Sequence, residues 1–67
     1  MKVYLNDREI QTEENQSLFN FLQSNQLTDR NGIAVALNDM VVPKTDWEQK
    51  ILEEKDHVMI ITATAGG

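Results

Sequence analysis

The chain has 67 residues and no cysteine, which allows one small domain and removes disulfides, thiolate chemistry and zinc–cysteine sites together. Its one histidine, His57, cannot assemble a metal site alone. A net charge of −5 and a pI near 4.5 argue against nucleic acid, where a basic stripe is expected, and steer the surface toward basic partners.

The opening KVYL alternates, with Val3 and Leu5 on one face and Lys2 and Tyr4 on the other. Asn6-Asp7 supplies two residues that tolerate positive φ, which predicts a tight hairpin returning through REIQT. A two-residue turn pairs Leu5 with Arg8 and Val3 with Ile10, so Val3, Leu5 and Ile10 share a face. After the polar TEENQ, Leu18, Phe21 and Leu22 fall at i, i+3 and i+4 of a helix that is expected to run to about Asn25 or Leu27. Ser17 is its predicted N-cap; Asn20 stands where a full capping box requires Glu or Gln. Phe19 lies beside the apolar stripe, partly exposed.

TDRNG is a turn-rich exit with Gly32 available for a left-handed position. IAVALN reads as a third strand, Asn38-Asp39 as a second tight turn, and MVV as a fourth strand that Pro43 closes. In KTDWEQKILEE, Asp46 is expected to cap a single turn containing Trp47, with Ile51 and Leu52 folding back toward the core. HVMIITA is the most β-prone segment. Its two faces, Val58/Ile60/Thr62 and Met59/Ile61/Ala63, are both largely apolar. One helix cannot cover both sides of a sheet, so one set is expected at the surface, where an exposed apolar patch marks a partner site. The order β-β-α-β-β-turn-β fits a mixed sheet with a helix on one face, without internal repeat or linker. No run approaches the ~20 apolar residues of a membrane span, and no signal-peptide pattern opens the chain, so the cytosol is the expected setting.

Nothing along the chain assembles an enzyme. Glu13/Glu14 and Glu53/Glu54 are neighbours in turn-like stretches and read as solvated acids rather than a catalytic dyad. Trp47 reads as a lid on the core edge, and His57 as a surface residue where a strand begins. The ending TATAGG leaves two readings open: a frayed end, or a thin arm whose carboxylate is the working part. Residues 64–67, fully extended, reach about 13 Å. Glycines lack Cβ and can thread a narrow channel, and an α-carboxylate is ionised at neutral pH. Such a group accepts no nucleophile until activated, for example as an acyl-adenylate.

Over its whole length the chain resembles the ThiS family, the ubiquitin-like β-grasp sulfur carriers of bacterial thiamine biosynthesis. The resemblance rests on LND in the first hairpin, QSLFNFL opening the helix, ALND, VVP, Trp47, Asp56 before the last strand, and the terminal AGG. The related MoaD proteins are typically longer. Lys55 is a departure, since the family commonly has glycine before the aspartate. The resemblance implies an α+β fold, a ubiquitin-like β-grasp with a mixed sheet of about five strands and one helix, as one domain over 1–67 with a flexible tail at 64–67. The last strand is then interior, beside and parallel to the first, with Val58 and Ile60 toward the helix. Tyr4, Met59 and Ile61 would form a docking patch on the open face. The Gly67 carboxylate would be adenylated by a ThiF-like E1 enzyme that consumes ATP, the carrier itself binding no cofactor. Sulfur from a cysteine-derived donor would convert it to a thiocarboxylate for a ThiG-like thiazole synthase, with Ala65 and Gly66 threading the active sites. Other readings are a MoaD-like donor to molybdopterin synthesis, a modifier that forms amide bonds with lysines, and a non-covalent interaction module.

Overall fold

The computed structural model of the protein describes residues 1–28 and 32–62. Among these residues, β1 (Lys2–Leu5), β2 (Arg8–Gln11), α1 (Leu18–Ser24), β3 (Ile33–Leu37), β4 (Met40–Val41), a 3-10 turn (Lys44–Asp46) and β5 (His57–Thr62) follow in chain order. They build a five-stranded sheet in the order β2-β1-β5-β3-β4. The strand β5 is interior, parallel to β1 (Tyr4↔His57, Leu5↔Val58) and antiparallel to β3 from Leu37↔Val58 to Ile33↔Thr62. This is the β-grasp arrangement that the resemblance implies. The long crossover required between parallel neighbours is everything from β2 to the 3-10 turn.

Both hairpins turn on Asn-Asp. Asn6 and Asp7 have φ of 49° and 67°, and Asn38 and Asp39 have 50° and 70°. Two consecutive left-handed residues match the right-handed twist of the flanking strands. The resulting register, Leu5↔Arg8 and Val3↔Ile10, is the predicted one. The second hairpin pairs Leu37 with Met40 and Ala36 with Val41, and β4 is one residue shorter than MVV suggests. Val42 keeps one further bond, donating its N–H to the Val35 carbonyl at 2.8 Å.

The helix buries Leu18, Phe21 and Leu22 against Val3, Val35, Leu37 and Val58. Phe19 packs at the margin of this cluster. The first helical amides would otherwise lack partners. Leu18 N–H donates to Lys50 O at 2.7 Å, Phe19 N–H to Trp47 O at 2.9 Å, and Asn20 N–H to Ser17 Oγ at 3.0 Å. Ser17 is thus the N-cap, and the crossover segment fastens the helix start. At the other end Asn25 is the cap residue, so the helix stops at Ser24, short of Leu27. Gln26 turns left-handed at φ 61°, its N–H bonding Gln23 O, while Leu27 N–H bonds Leu22 O. These two bonds are the Schellman arrangement, here with Gln in place of the favoured Gly. Gly32, at φ 74°, takes the left-handed position expected of it.

Two expectations for the crossover are corrected. Asp46 lies inside the 3-10 turn, whose preceding residue is Pro43 and which has no side-chain cap; its backbone carbonyl accepts from Gln49 and Lys50 instead. Leu52 is buried, but Ile51 is exposed, because its bridge to Ser17 and the Leu52 N–H bond to Gln16 O turn alternate side chains to opposite sides. Trp47 is more than an edge lid. It is 3% exposed within the main core cluster and donates Nε1–H to Val42 O at 2.9 Å. Lys55 occupies φ 69°, a left-handed position that favours glycine.

Candidate functional site

One face of the sheet is covered by the helix and the other is open. Residues directly opposite across a pair share a face, so the register assigns the open side. Tyr4 lies beside His57, then come Met59 opposite Ala36 and Ile61 opposite Ala34. Val41, opposite Ala36 on the other flank, extends the same surface. Val58 is buried and Ile60 partly buried on the helix side, as expected, whereas Met59 and Ile61 are 46% and 48% exposed and Val41 is 66% exposed. Ala34 and Ala36 leave the larger side chains standing free between them. The Tyr4 and His57 rings stack with centroids 4.6 Å apart and planes 16° from parallel, forming an aromatic border. Beyond it Lys2 Nζ approaches Glu9 Oε1 at 3.8 Å, an exposed ion pair of little energetic weight.

The predicted trio Tyr4, Met59 and Ile61 is therefore brought to one face, with Tyr4 half-buried at its margin. Sequence reasoning missed Val41. The signal was present: a two-residue turn at Asn38-Asp39 sets Ala36 opposite Val41, and Ala36 alternates with buried Val35 and Leu37. Ala65, Gly66 and Gly67, with the rest of the tail and Ala63, lie outside the described residues. Thr62, exposed and paired with Ile33, is the last described residue before them.

The strand beneath this patch is held by side chains as well as by its neighbours. At its start, Asn38 N–H donates to His57 O at 2.8 Å, and His57 N–H donates to Asn38 Oδ1 at 2.9 Å. Asn38 Nδ2 in turn donates to Oδ1 of buried Asp56 at 2.9 Å, and Glu53 N–H donates to Asp56 Oδ2 at 2.8 Å. On the opposite side Asn6 N–H donates to Val58 O, and Ile60 N–H donates to Asn6 Oδ1, both at 2.9 Å. Each Leu-Asn-Asp turn thus grips β5 with one backbone and one side-chain bond. The recurrence of LND in the sequence, at Leu5-Asn6-Asp7 and Leu37-Asn38-Asp39, is the signal that marks both grips. A depression of about 300 Å³ lies between the two turns, with His57 and Met59 among its lining residues.

The acidic pairs do not converge on a reaction centre. Glu13, Glu14, Glu53 and Glu54 are all exposed, and Glu54 Oε2 accepts from the Lys2 backbone N–H at 2.9 Å. Among the described residues no three His, Cys, Asp or Glu side chains gather to hold a metal ion, and no helix is long and apolar enough to cross a membrane. What the arrangement offers chemically is an apolar, aromatic-edged surface on the strand that leads into the tail.

The profile of the ThiS family matches residues 2–67. The sulfur carrier protein ThiS of Escherichia coli (strain K12) is 32% identical over 68 aligned positions that cover all of both chains. A crystal structure of a thiamine biosynthesis protein, ThiS from Geobacter metallireducens, superposes with a TM-score of 0.86 over all of both chains. Its sequence identity is 17%, so that likeness speaks for the fold alone. With the profile and the full-length relative agreeing, the chain belongs to the ThiS family.

Proposed function

We propose that this chain is a sulfur carrier for thiamine biosynthesis that works through its Gly67 carboxylate. In the first step a ThiF-like enzyme joins the carboxylate oxygen to the α-phosphorus of ATP and releases pyrophosphate. Sulfur that a cysteine-derived donor releases at the sulfide level, with a thiol reductant where the donor holds it as a persulfide, then attacks the acyl carbon, AMP leaves, and a thiocarboxylate remains on Gly67. A ThiG-like thiazole synthase accepts that sulfur, an oxygen from water or the acceptor takes its place on Gly67, and the carrier returns with its carboxylate. The carrier supplies reach and recognition, and the enzymes supply the chemistry.

The observation that carries this reading is the end-to-end match to a relative named as a sulfur carrier. The open-face patch of Tyr4, Met59 and Ile61, on and beside the strand that feeds the tail, supports it as a docking surface. Residues 63–67 span at most about 18 Å when extended, enough to enter an active site while the sheet docks outside. Ala65 and Gly66 would thread that channel.

Deleting Gly67 withdraws the carboxylate by about 3.5 Å. Misplacement of even ~1 Å can cost on the order of a hundredfold in rate. The test is intact mass after incubation with the adenylating enzyme, ATP and a sulfur source. The full chain should gain the difference between one sulfur and one oxygen, localised to Gly67, and the truncated chain should not. A bulky residue at Gly66 should also block the reaction, by steric exclusion with the carboxylate still present. Equal thiocarboxylation of truncated and full chains would end this reading.

A further inference from the structure

We propose that Asn6 is a positioning residue for the transfer reaction: its side-chain oxygen is the anchor that holds β5 on the β1 side where the strand runs out toward the arm. The inference rests on the carrier reading above, because it concerns how that arm is presented.

The geometry is specific. Strand β1 lies beside β5 at only two register positions, Tyr4↔His57 and Leu5↔Val58. Its chain then turns away through Asn6-Asp7, whereas β5 continues to Thr62 with β3 alongside all the way to Ile33↔Thr62. From Met59 onward, therefore, β1 no longer borders β5. Asn6 stands in for the missing strand. It donates N–H to Val58 O and accepts the next inward-directed amide, Ile60 N–H, on Oδ1, both at 2.9 Å. Through this residue β5 is gripped from both sides two residues beyond the end of β1.

A strand held at one edge can pivot about that edge, and a strand held at both cannot. Loss of the Oδ1 bond leaves Ile60–Thr62 attached through β3 alone. The last described residues before the arm then sample orientations in which Met59 and Ile61 still reach a docked enzyme but the arm leaves at the wrong angle. Docking and presentation are separable in consequence: the patch governs KM, and Asn6 governs kcat.

Position 6 permits a clean dissection because its backbone and side-chain roles can be split. Asn6 has φ 49°, which Gly adopts freely, so Asn6→Gly keeps the turn and removes only the acceptor. Asn6→Asp keeps an oxygen in the same place on a residue that also tolerates positive φ. Asp7→Gly changes the same turn and leaves Oδ1 untouched.

The full chain and these three variants would be compared by amide exchange and by steady-state thiocarboxylation with the adenylating enzyme, ATP and sulfur source, read by intact mass. In Asn6→Gly the Ile60 amide should exchange about tenfold faster, equivalent to about 1.4 kcal/mol, near what one hydrogen bond contributes. Its kcat should fall at least tenfold with KM within about twofold of the full chain. Asn6→Asp should restore both quantities, and Asp7→Gly should leave both unchanged. If the full chain reacts and Asn6→Gly keeps its kcat, or loses it without recovery in Asn6→Asp, the positioning role is overturned and the carrier reading stands. If the full chain gains no sulfur at all, the carrier reading falls and takes this proposal with it.

Discussion

Asp56 offers a stringent test of the polar network behind β5. Both of its carboxylate oxygens accept: Oδ1 from Asn38 Nδ2 at 2.9 Å and Oδ2 from Glu53 N–H at 2.8 Å. Hydrogen bonds to a charged partner contribute about 1.5–3 kcal/mol each. Asn38 and Glu53 are themselves exposed, so donors freed by mutation recover some bonding with water. That places Asp56→Ala at about 2–4 kcal/mol, at and below the lower end of the two-bond sum of about 3–6 kcal/mol. Asp56→Asn is the more telling change. A carboxamide of the same shape presents one oxygen and one NH2, so whichever way it turns it sets a donor against a donor. It should therefore lose at least half of what Asp56→Ala loses, despite near-identical size. In a domain of this size about 2–4 kcal/mol lowers Tm by about 15–30 °C. Urea unfolding can be followed by the fluorescence of Trp47, whose ring is buried in the core. A stability for Asp56→Asn within about 0.5 kcal/mol of the unmodified chain, the scale of an ordinary surface change, would refute the two-acceptor account.

Ile61→Asp should weaken engagement of the adenylating enzyme at least tenfold, read as KM, while unfolding shifts by less than about 1 kcal/mol, since the side chain is half exposed on the open face. A chain that unfolds without a separable binding defect would overturn the face assignment. Gln26→Gly should stabilise by about 0.5–1 kcal/mol in the same urea assay, because a left-handed φ of 61° disfavours a residue with Cβ. A destabilisation would mean that the Gln26 side chain contributes something beyond its backbone.

Much of the sheet was legible because its signals are local. Alternation in KVYL and Asn-Asp two residues before the return strand determine a register by themselves, and Leu18/Phe21/Leu22 after Ser17 determine the helix face and its start. The doubly apolar β5 was readable for a different reason. A single helix cannot cover two faces, so Met59 and Ile61 had to be outside if Val58 and Ile60 were inside. The crossover resisted reading because its partners are distant in sequence. The carbonyls of Trp47 and Lys50 are occupied by helix amides some thirty residues earlier, and no spacing within KTDWEQKILEE encodes that. The burial of Leu52 beside exposed Ile51 follows from the same long-range bonds. At Gln26 the helix ending itself, and at Lys55 a turn bonded to the distant Lys2 carbonyl, put left-handed backbone on residues whose types give no hint of it. The roles of Asn6 and Asn38 as side-chain anchors were hidden for a simpler reason. Asn-Asp already explains a turn, and what the amides do afterwards depends on a strand 19 residues away for Asn38 and 54 for Asn6.

The central position of β5 has a consequence for biosynthesis. Ribosomes deliver the chain from its N-terminus, and domains generally fold as units when the needed segments have emerged. Here the two hairpins and the helix are made first, yet the strand that lies between the hairpins is made after all of them. Until it arrives, β1 and β3 each have an open inner edge and nothing to join them. A chain interrupted before His57 consequently has no route to the complete sheet and exposes two additional unpaired edges, the kind of surface that aggregates or is degraded. A chain cut short of its C-terminal strand therefore lacks the one element that joins its two hairpins, however well each hairpin has formed.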